Sequence, residues 1–323
     1  MNVNDRGERK INIRNLIPFL GLVIVVLFFG ITQGEKFFSA NNFFIIINQS
    51  VVYILIGLGM TFVVAHGNID FGVGGILGAS VACAMITGGT VYSVVGSAAA
   101  AGIIALVSGI GVAVILCSIT AFFHIKLGVP GFVASLALMF LGRGICQVIS
   151  VSFGIVQATY LSGLNRMIFH LSVLLLVIAV SIFLFEYTKV GKYNKAMGSN
   201  IRASFLSGVE IAKYKYIAYL IMGCCIGIAS FVYLVRVGSA SASAGNSYEV
   251  EILISLVLGG LPLTGGSNVK IYSIIIGALL FMMLKNGLTI MGVSAEYTDL
   301  IRGLIFLGVT LFSYDRKASQ FVL

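Results

Sequence analysis

Long apolar runs separated by short polar joints fill the chain, and their lengths predict helices rather than strands. The apolar stretches are 17–33, 43–65, 71–87, 93–122, 130–150, 168–185, 214–235, 252–261, 271–291 and 299–313. A helix rises about 1.5 Å per residue, so roughly 20 residues are needed to cross a hydrocarbon core. Most of the stretches meet that requirement. The eighth, 252–261, does not, and is expected to be a broken or half-crossing helix, or one extended by its polar flanks. The pattern predicts an all-α polytopic membrane protein with about ten transmembrane helices, some short or broken.

The longest polar interruption is 186–216, where Lys189, Lys192, Lys195, Arg202, Lys213 and Lys215 face only two acids, Glu186 and Glu210. A short helix is predicted within it. Ser199 or Asn200 can act as N-cap, residues 201–207 make about two turns, and Gly208 supplies a left-handed stop. Such an interruption is either a docking surface or a plain positive loop that sets topology.

Composition supports the membrane reading. The 323 residues are 59% hydrophobic and 10% charged, which no soluble domain of this length sustains. Thirty-nine glycines against three prolines suit helices packed through small residues. A net charge of +9 would suggest nucleic acid in a soluble protein; here it is sorted by loop, and nucleic acid is not expected as a partner. With an inside N-terminus and ten crossings, Arg6, Arg9, Lys10, Arg14, Lys126, the six cations of 186–216, Lys270, Arg316 and Lys317 fall inside. Only Lys36, Arg166 and Arg236 fall outside. This bias places both termini in the cytoplasm. It divides the chain into a basic tail (1–16), a single transmembrane domain (17–315) carrying the loop 186–216, and a C-terminal tail (316–323). The run from Ile17 has no small-residue cleavage site after it and reads as a retained span. Five cysteines lie inside apolar runs as packing residues.

Two glycine-dense breaks echo each other: 66–75, after the second span, and 259–266, after the short one. Glycine lets backbone leave helical geometry, and such breaks are tolerated at depth only inside protein or along a water-filled route. They are either a pathway wall or ordinary turns. Asp70 is an intramembrane carboxylate with a functional reading, although a cap for the third span is favoured. Lys285, beside Asn286, is expected to snorkel or pair with an acid rather than touch solute. Arg143, in the fifth span, is similarly placed toward the outer half, while Arg236, Glu249, Glu251, Glu296, Asp299 and Arg302 fall at or near the outer face and read as solvated ends, or as charges that dock a soluble partner. No G-x-x-x-x-G-K-[ST] phosphate loop, H-E-x-x-H motif or Ser/His/Asp set is present, so no catalytic or metal-ligating residue is assigned.

Six motifs in order resemble the permease subunit of bacterial ATP-binding-cassette importers of the ribose/galactose/xylose type, which also includes autoinducer-2 and nucleoside permeases. Gly67-Asn68-Ile69-Asp70-Phe71-Gly72-Val73-Gly74-Gly75 is similar to the family's Gly-Gly-Ile-Asp-Leu-Ser-Val-Gly-Ser. Val129-Pro130-Gly131-Phe132 with Gly142-Arg143-Gly144, and the element from Gly198 to Val209, also resemble family signatures. Arg236-Val237-Gly238, Tyr248-Glu249, Gly259-Gly260 with Gly265-Gly266, and Asn286-Gly287-Leu288 complete the likeness.

The resemblance implies a coupling helix carrying Gly198, Asn200, Arg202, Ala203, Ser204, Ser207 and Gly208, inserted into a separate cytoplasmic ATPase that uses ATP and Mg. It implies a pathway or structural breaks at Gly67, Asn68, Asp70, Gly74, Gly259, Gly260, Gly265, Gly266 and Asn286. Arg143, Arg236, Glu249 and Arg302 would then face an extracytoplasmic sugar-binding protein. A second permease copy or paralogue and membrane lipid complete the expected partners. Asn68, Gly72, Gly75 and Leu261-Pro262 depart from the family pattern, which leaves the solute open. The alternatives are an ion-coupled secondary transporter using Asp70 or Lys285, and a non-transporting scaffold.

Overall fold

The computed structural model describes residues 17–154 and 157–313. Its helices are α1 (Ile17–Gln33), α2 (Ala40–Ala65), α3 (Val73–Val95), α4 (Ala98–Lys126), α5 (Gly131–Phe153) and α6 (Met167–Ile182). They continue with α7 (Lys189–Ser199), α8 (Ile201–Leu206), α9 (Ile211–Val237), α10 (Tyr248–Leu258), α11 (Ser273–Ile290) and α12 (Ala295–Ser313). Among the described residues the only strand-like pairing is an isolated bridge between Gln157 and Ser239. The protein is an all-α polytopic membrane protein, with eight helices among the described residues long and apolar enough to cross a bilayer. The tails 1–16 and 316–323 lie outside the described residues.

Helices α2, α3 and α9 form the centre and bury most of their surface, while α1 and α6 leave most of theirs exposed. Lipid tails are as apolar as leucine, so helices in a membrane associate through close backbone approach and dispersion rather than hydrophobic exclusion. The seam of α4 and α9 shows this. A Cβ on Gly227 of α9 would sit 2.3 Å from the Ile110 Cα of α4, so only glycine fits there.

The basic stretch 186–216 is more ordered than a loop with one short helix. A π-helical turn at Phe183–Tyr187 ends α6, and α7 then folds back on it. Lys195 pairs with Glu186 at 2.8 Å and lies 4.4 Å from the centroid of the Phe185 ring. Helix α8 follows without a linker. Asn200 is its N-cap and accepts the Ala203 amide at 2.9 Å, and Gly208 stops it at φ +81°. Of the two expected caps the structure uses Asn200, while Ser199 is the last residue of α7.

The short eighth stretch is a helix of 11 residues, starting at Tyr248 rather than Ile252. The chain reaches that start by a descending loop. After α9, the Ala240 amide donates to Met85 Sδ at 3.3 Å, the Ala244 carbonyl lies against Gly78, and Gly245 lies against Gly74. From Met85 back to Gly74 the loop follows α3 for roughly 16 Å, and α10 then runs a similar length at about 1.5 Å per residue. Loop and half-helix together make one crossing.

Candidate functional site

Three backbone segments close on one another where α2, α7 and α10 end. Gly266 donates its amide to the Ala65 carbonyl at 3.0 Å, and the Ser267 amide donates to Ser199 Oγ at 2.9 Å. A Cβ on Gly198 would lie 2.1 Å from the Ala65 carbonyl oxygen and 2.5 Å from the Gly266 nitrogen, a contact real side chains never make. Gly265, at φ +76°, would meet the Val64 carbonyl oxygen at 2.5 Å. The α7–α8 hairpin is therefore fixed to both glycine-dense breaks through main-chain contact.

A polar brace holds the first break from the side. Asn68 Nδ2 donates to His124 Nε2 at 2.6 Å and approaches His66 Nε2 at 3.4 Å, while Lys215 Nζ donates to His124 at 3.2 Å. Burial, with Lys215 nearby, drives His66 down to about 3, so its ring is neutral and Nε2 accepts. Asp70 is fully buried and accepts the Gly72 amide at 2.7 Å, two residues ahead. That is a local Asx turn leading into α3, not a cap on the helix's first amides, because Gly72 is the N-cap.

The second polar centre lies at half-depth, at the first turn of α10. Glu249 and Glu251 are only 7% and 4% exposed. Arg143 of α5 pairs with Glu249, and Lys285 of α11 pairs with Glu251 at 2.9 Å. Tyr53 of α2 donates to Glu251 and stacks on Tyr248, with centroids 4.6 Å apart. Carboxylates at a helix N-terminus meet its positive dipole end, and each here also has a cation. Residues 53, 143 and 285 each lie about 12 residues from a helix end, roughly 18 Å along the axis. Breaking such a pair leaves an uncompensated charge out of water.

Comparison with known proteins decides the class. A family model described as "Branched-chain amino acid transport system / permease component" matches residues 42–310. The chain belongs to this permease family. It is 30% identical to the ribose import permease protein RbsC of Escherichia coli K12, over 94% of each chain. It is 32% identical to the D-allose transport system permease protein AlsC of the same strain, over 94% of this chain and 91% of that one. The Bacillus subtilis ribose import permease is 30% identical, over 95% and 94%. No solved structure matches.

Within this permease the predicted residues separate into distinct places. Gly198, Asn200, Arg202, Ala203, Ser204, Ser207 and Gly208 all belong to the α7–α8 hairpin, whose tip exposes Phe205 (69%) and Leu206 (84%) beside the exposed Ile201 and Arg202. These side chains and Ile211 line a recess of about 400 Å³. Gly67, Gly265 and Gly266 form the closed junction, and Asn68 its brace. Gly259 is buried against the Ser273 carbonyl, whereas Gly260, beside Pro18, is exposed. Gly74 lies against Glu249 at mid-depth, and Asn286 is half-buried beside Lys285 with an unpartnered Oδ1.

The outer charges need correction. Glu249 and Glu251 are not solvated ends: they are buried and ion-paired, Glu249 with Arg143 and Glu251 with Lys285. Arg236 lies 5.5 Å from the Tyr233 ring centroid, at the rim of a recess of about 390 Å³ shared with Gln157 and Gly238. The side chains of Glu296, Asp299 and Arg302 lie outside the described residues. The residues that sequence reasoning missed are Tyr53, as the third member of the Glu251 cluster, and the loop 239–247. The loop's signal was its six small or polar residues in a row, Ser239 to Ala244, beside a helix too short to cross.

Proposed function

We propose that this chain is the permease subunit of an importer for a sugar or related small polyhydroxylated solute, in the cytoplasmic membrane of a bacterium and driven by a separate ATPase. The observation that carries this reading is the near full-length likeness to permeases named for ribose, allose and fructose import, the last being 26% identical over 94% of this chain. On this reading the chain is not itself an enzyme; ATP and magnesium are used by the partner.

The α7–α8 hairpin is the surface for that partner. An apolar tip rimmed by lysine and arginine, beyond the long apolar helices, is chemistry that a second protein covers. Its base is joined to the ends of α2 and α10, so displacement of the hairpin moves the half-helix that carries the mid-depth ion pairs. Alternating access follows if two permease copies or paralogues rock against each other while an extracytoplasmic sugar-binding protein delivers solute. The same likeness favours this reading over an ion-coupled carrier; Lys285 is engaged by Glu251, and Asp70 accepts the Gly72 amide through one oxygen.

Ala203→Pro tests the hairpin. Proline removes the amide that Asn200 caps and disturbs a helix of six residues. The variant is expected to insert at normal levels while ATP-dependent uptake by the assembled transporter falls by about tenfold or more. Uptake at the parent rate would remove the hairpin from the coupling path.

A further inference from the structure

Loop 239–247 breaks a rule unless water reaches it. It descends along α3 to half-depth without helical hydrogen bonding, yet Ser243, Asn246 and Ser247 are exposed and Ser241 is half-buried. Irregular backbone and hydroxyls at this depth do not face lipid, because nothing there satisfies their hydrogen bonds. Ser247 also has φ +67°, and among the described residues it is the one non-glycine residue in the left-handed region. Strain of this kind persists where surrounding structure enforces it, and it collects at working sites. The same turn holds two cations and two carboxylates in pairs, and Arg143 keeps Nε without a partner.

We propose that the exposed face of this loop, with the first turn of α10, is the mid-depth solute-contact site of the permease. Ser241, Ser243, Asn246 and Ser247 exchange hydrogen bonds with the hydroxyls of a neutral polyol, and Arg143 reaches the same space. This rests on the reading of the chain as a sugar permease and adds the place and chemistry of contact. Serine hydroxyls and an amide both donate and accept, as sugar hydroxyls do, so partners rearrange as the solute slides. The charges of Glu249 with Arg143 and of Glu251 with Lys285 cancel pair by pair, which suits an uncharged solute.

The test is cysteine accessibility in the complete transporter in cells. The five native cysteines are replaced by serine or alanine, and Ser243→Cys and Asn246→Cys are introduced separately, with Ser162→Cys as an exposed control near the outer recess. A membrane-impermeant cationic thiol reagent is applied to whole cells and to inverted vesicles, with and without D-ribose, D-allose or D-fructose. Both loop positions are expected to react from at least one side, and the transported sugar is expected to slow that reaction several-fold without affecting Ser162→Cys. No reaction from either side, while the control reacts, would show the loop covered by a second copy of the chain and would overturn the proposal. Reaction that a transported sugar does not slow would overturn it too. Absence of uptake of all three sugars by the parent transporter would instead count against the sugar reading itself, a separate readout from loop accessibility.

Discussion

At the base of the α7–α8 hairpin, residues 64–67, 198–199 and 264–267 meet main chain to main chain, with no room for a Cβ at Gly198. At half-depth, the serine-rich loop 239–247 leaves Ser243, Asn246 and Ser247 open. Both regions are glycine- and serine-rich interruptions of apolar helices. What differs is the partner. The first is filled by other backbone and behaves as a rigid joint; the second is lined with hydroxyls, of which Ser241 and Ser243 meet each other at 3.0 Å, that keep further capacity for water, solute or another chain. A break in hydropathy therefore reports a departure from lipid-facing helix, and its neighbours decide whether it is a hinge-pin or a channel wall.

The largest effect is expected at the ion pairs beside the open loop. Glu251→Gln leaves Lys285 without its carboxylate at half-depth and is expected to destabilise the protein by about 3 kcal/mol, the usual range for losing one partner of a buried pair. Thermal unfolding in detergent measures this, and the double variant Glu251→Gln/Lys285→Met should recover part of the loss. Recovery of nothing would mean that Glu251 matters chiefly through Tyr53.

The joint itself comes next. Gly198→Ala forces backbone apart and is expected to cost about 2 kcal/mol, as overpacking does. Ser243→Ala in the open loop should stay within about 0.5 kcal/mol, as exposed substitutions do. Equal losses in the two variants would erase the distinction between closed and open breaks.

The apolar runs made the long helices legible, because roughly 20 residues of hydrocarbon admit few other folds. Asn200 and Gly208 marked α8 because capping chemistry is local. The start of α10 was not legible. Glu249 and Glu251 look like a solvated end in one dimension, and only Arg143 and Lys285, distant in sequence, make them interior residues. Helix α7 was hidden for a related reason. Its lysines suggest loop, while Gly191 and Gly198 pack its backbone against Phe185 and Ala65. Asn68, a departure from the family's glycine, reads as a lost or gained solute contact until His124 is seen across from it.

On the function proposed above, a sugar crosses only when a second protein hydrolyses ATP against the hairpin. The direct measurement is labelled-ribose uptake into proteoliposomes containing the permease, its ATPase and its binding protein, with ATP supplied on the hairpin side. Uptake is expected to require ATP and the ATPase, and to be diminished by Arg202→Glu on the hairpin. Uptake driven by a proton or sodium gradient, with the ATPase left out, would contradict it.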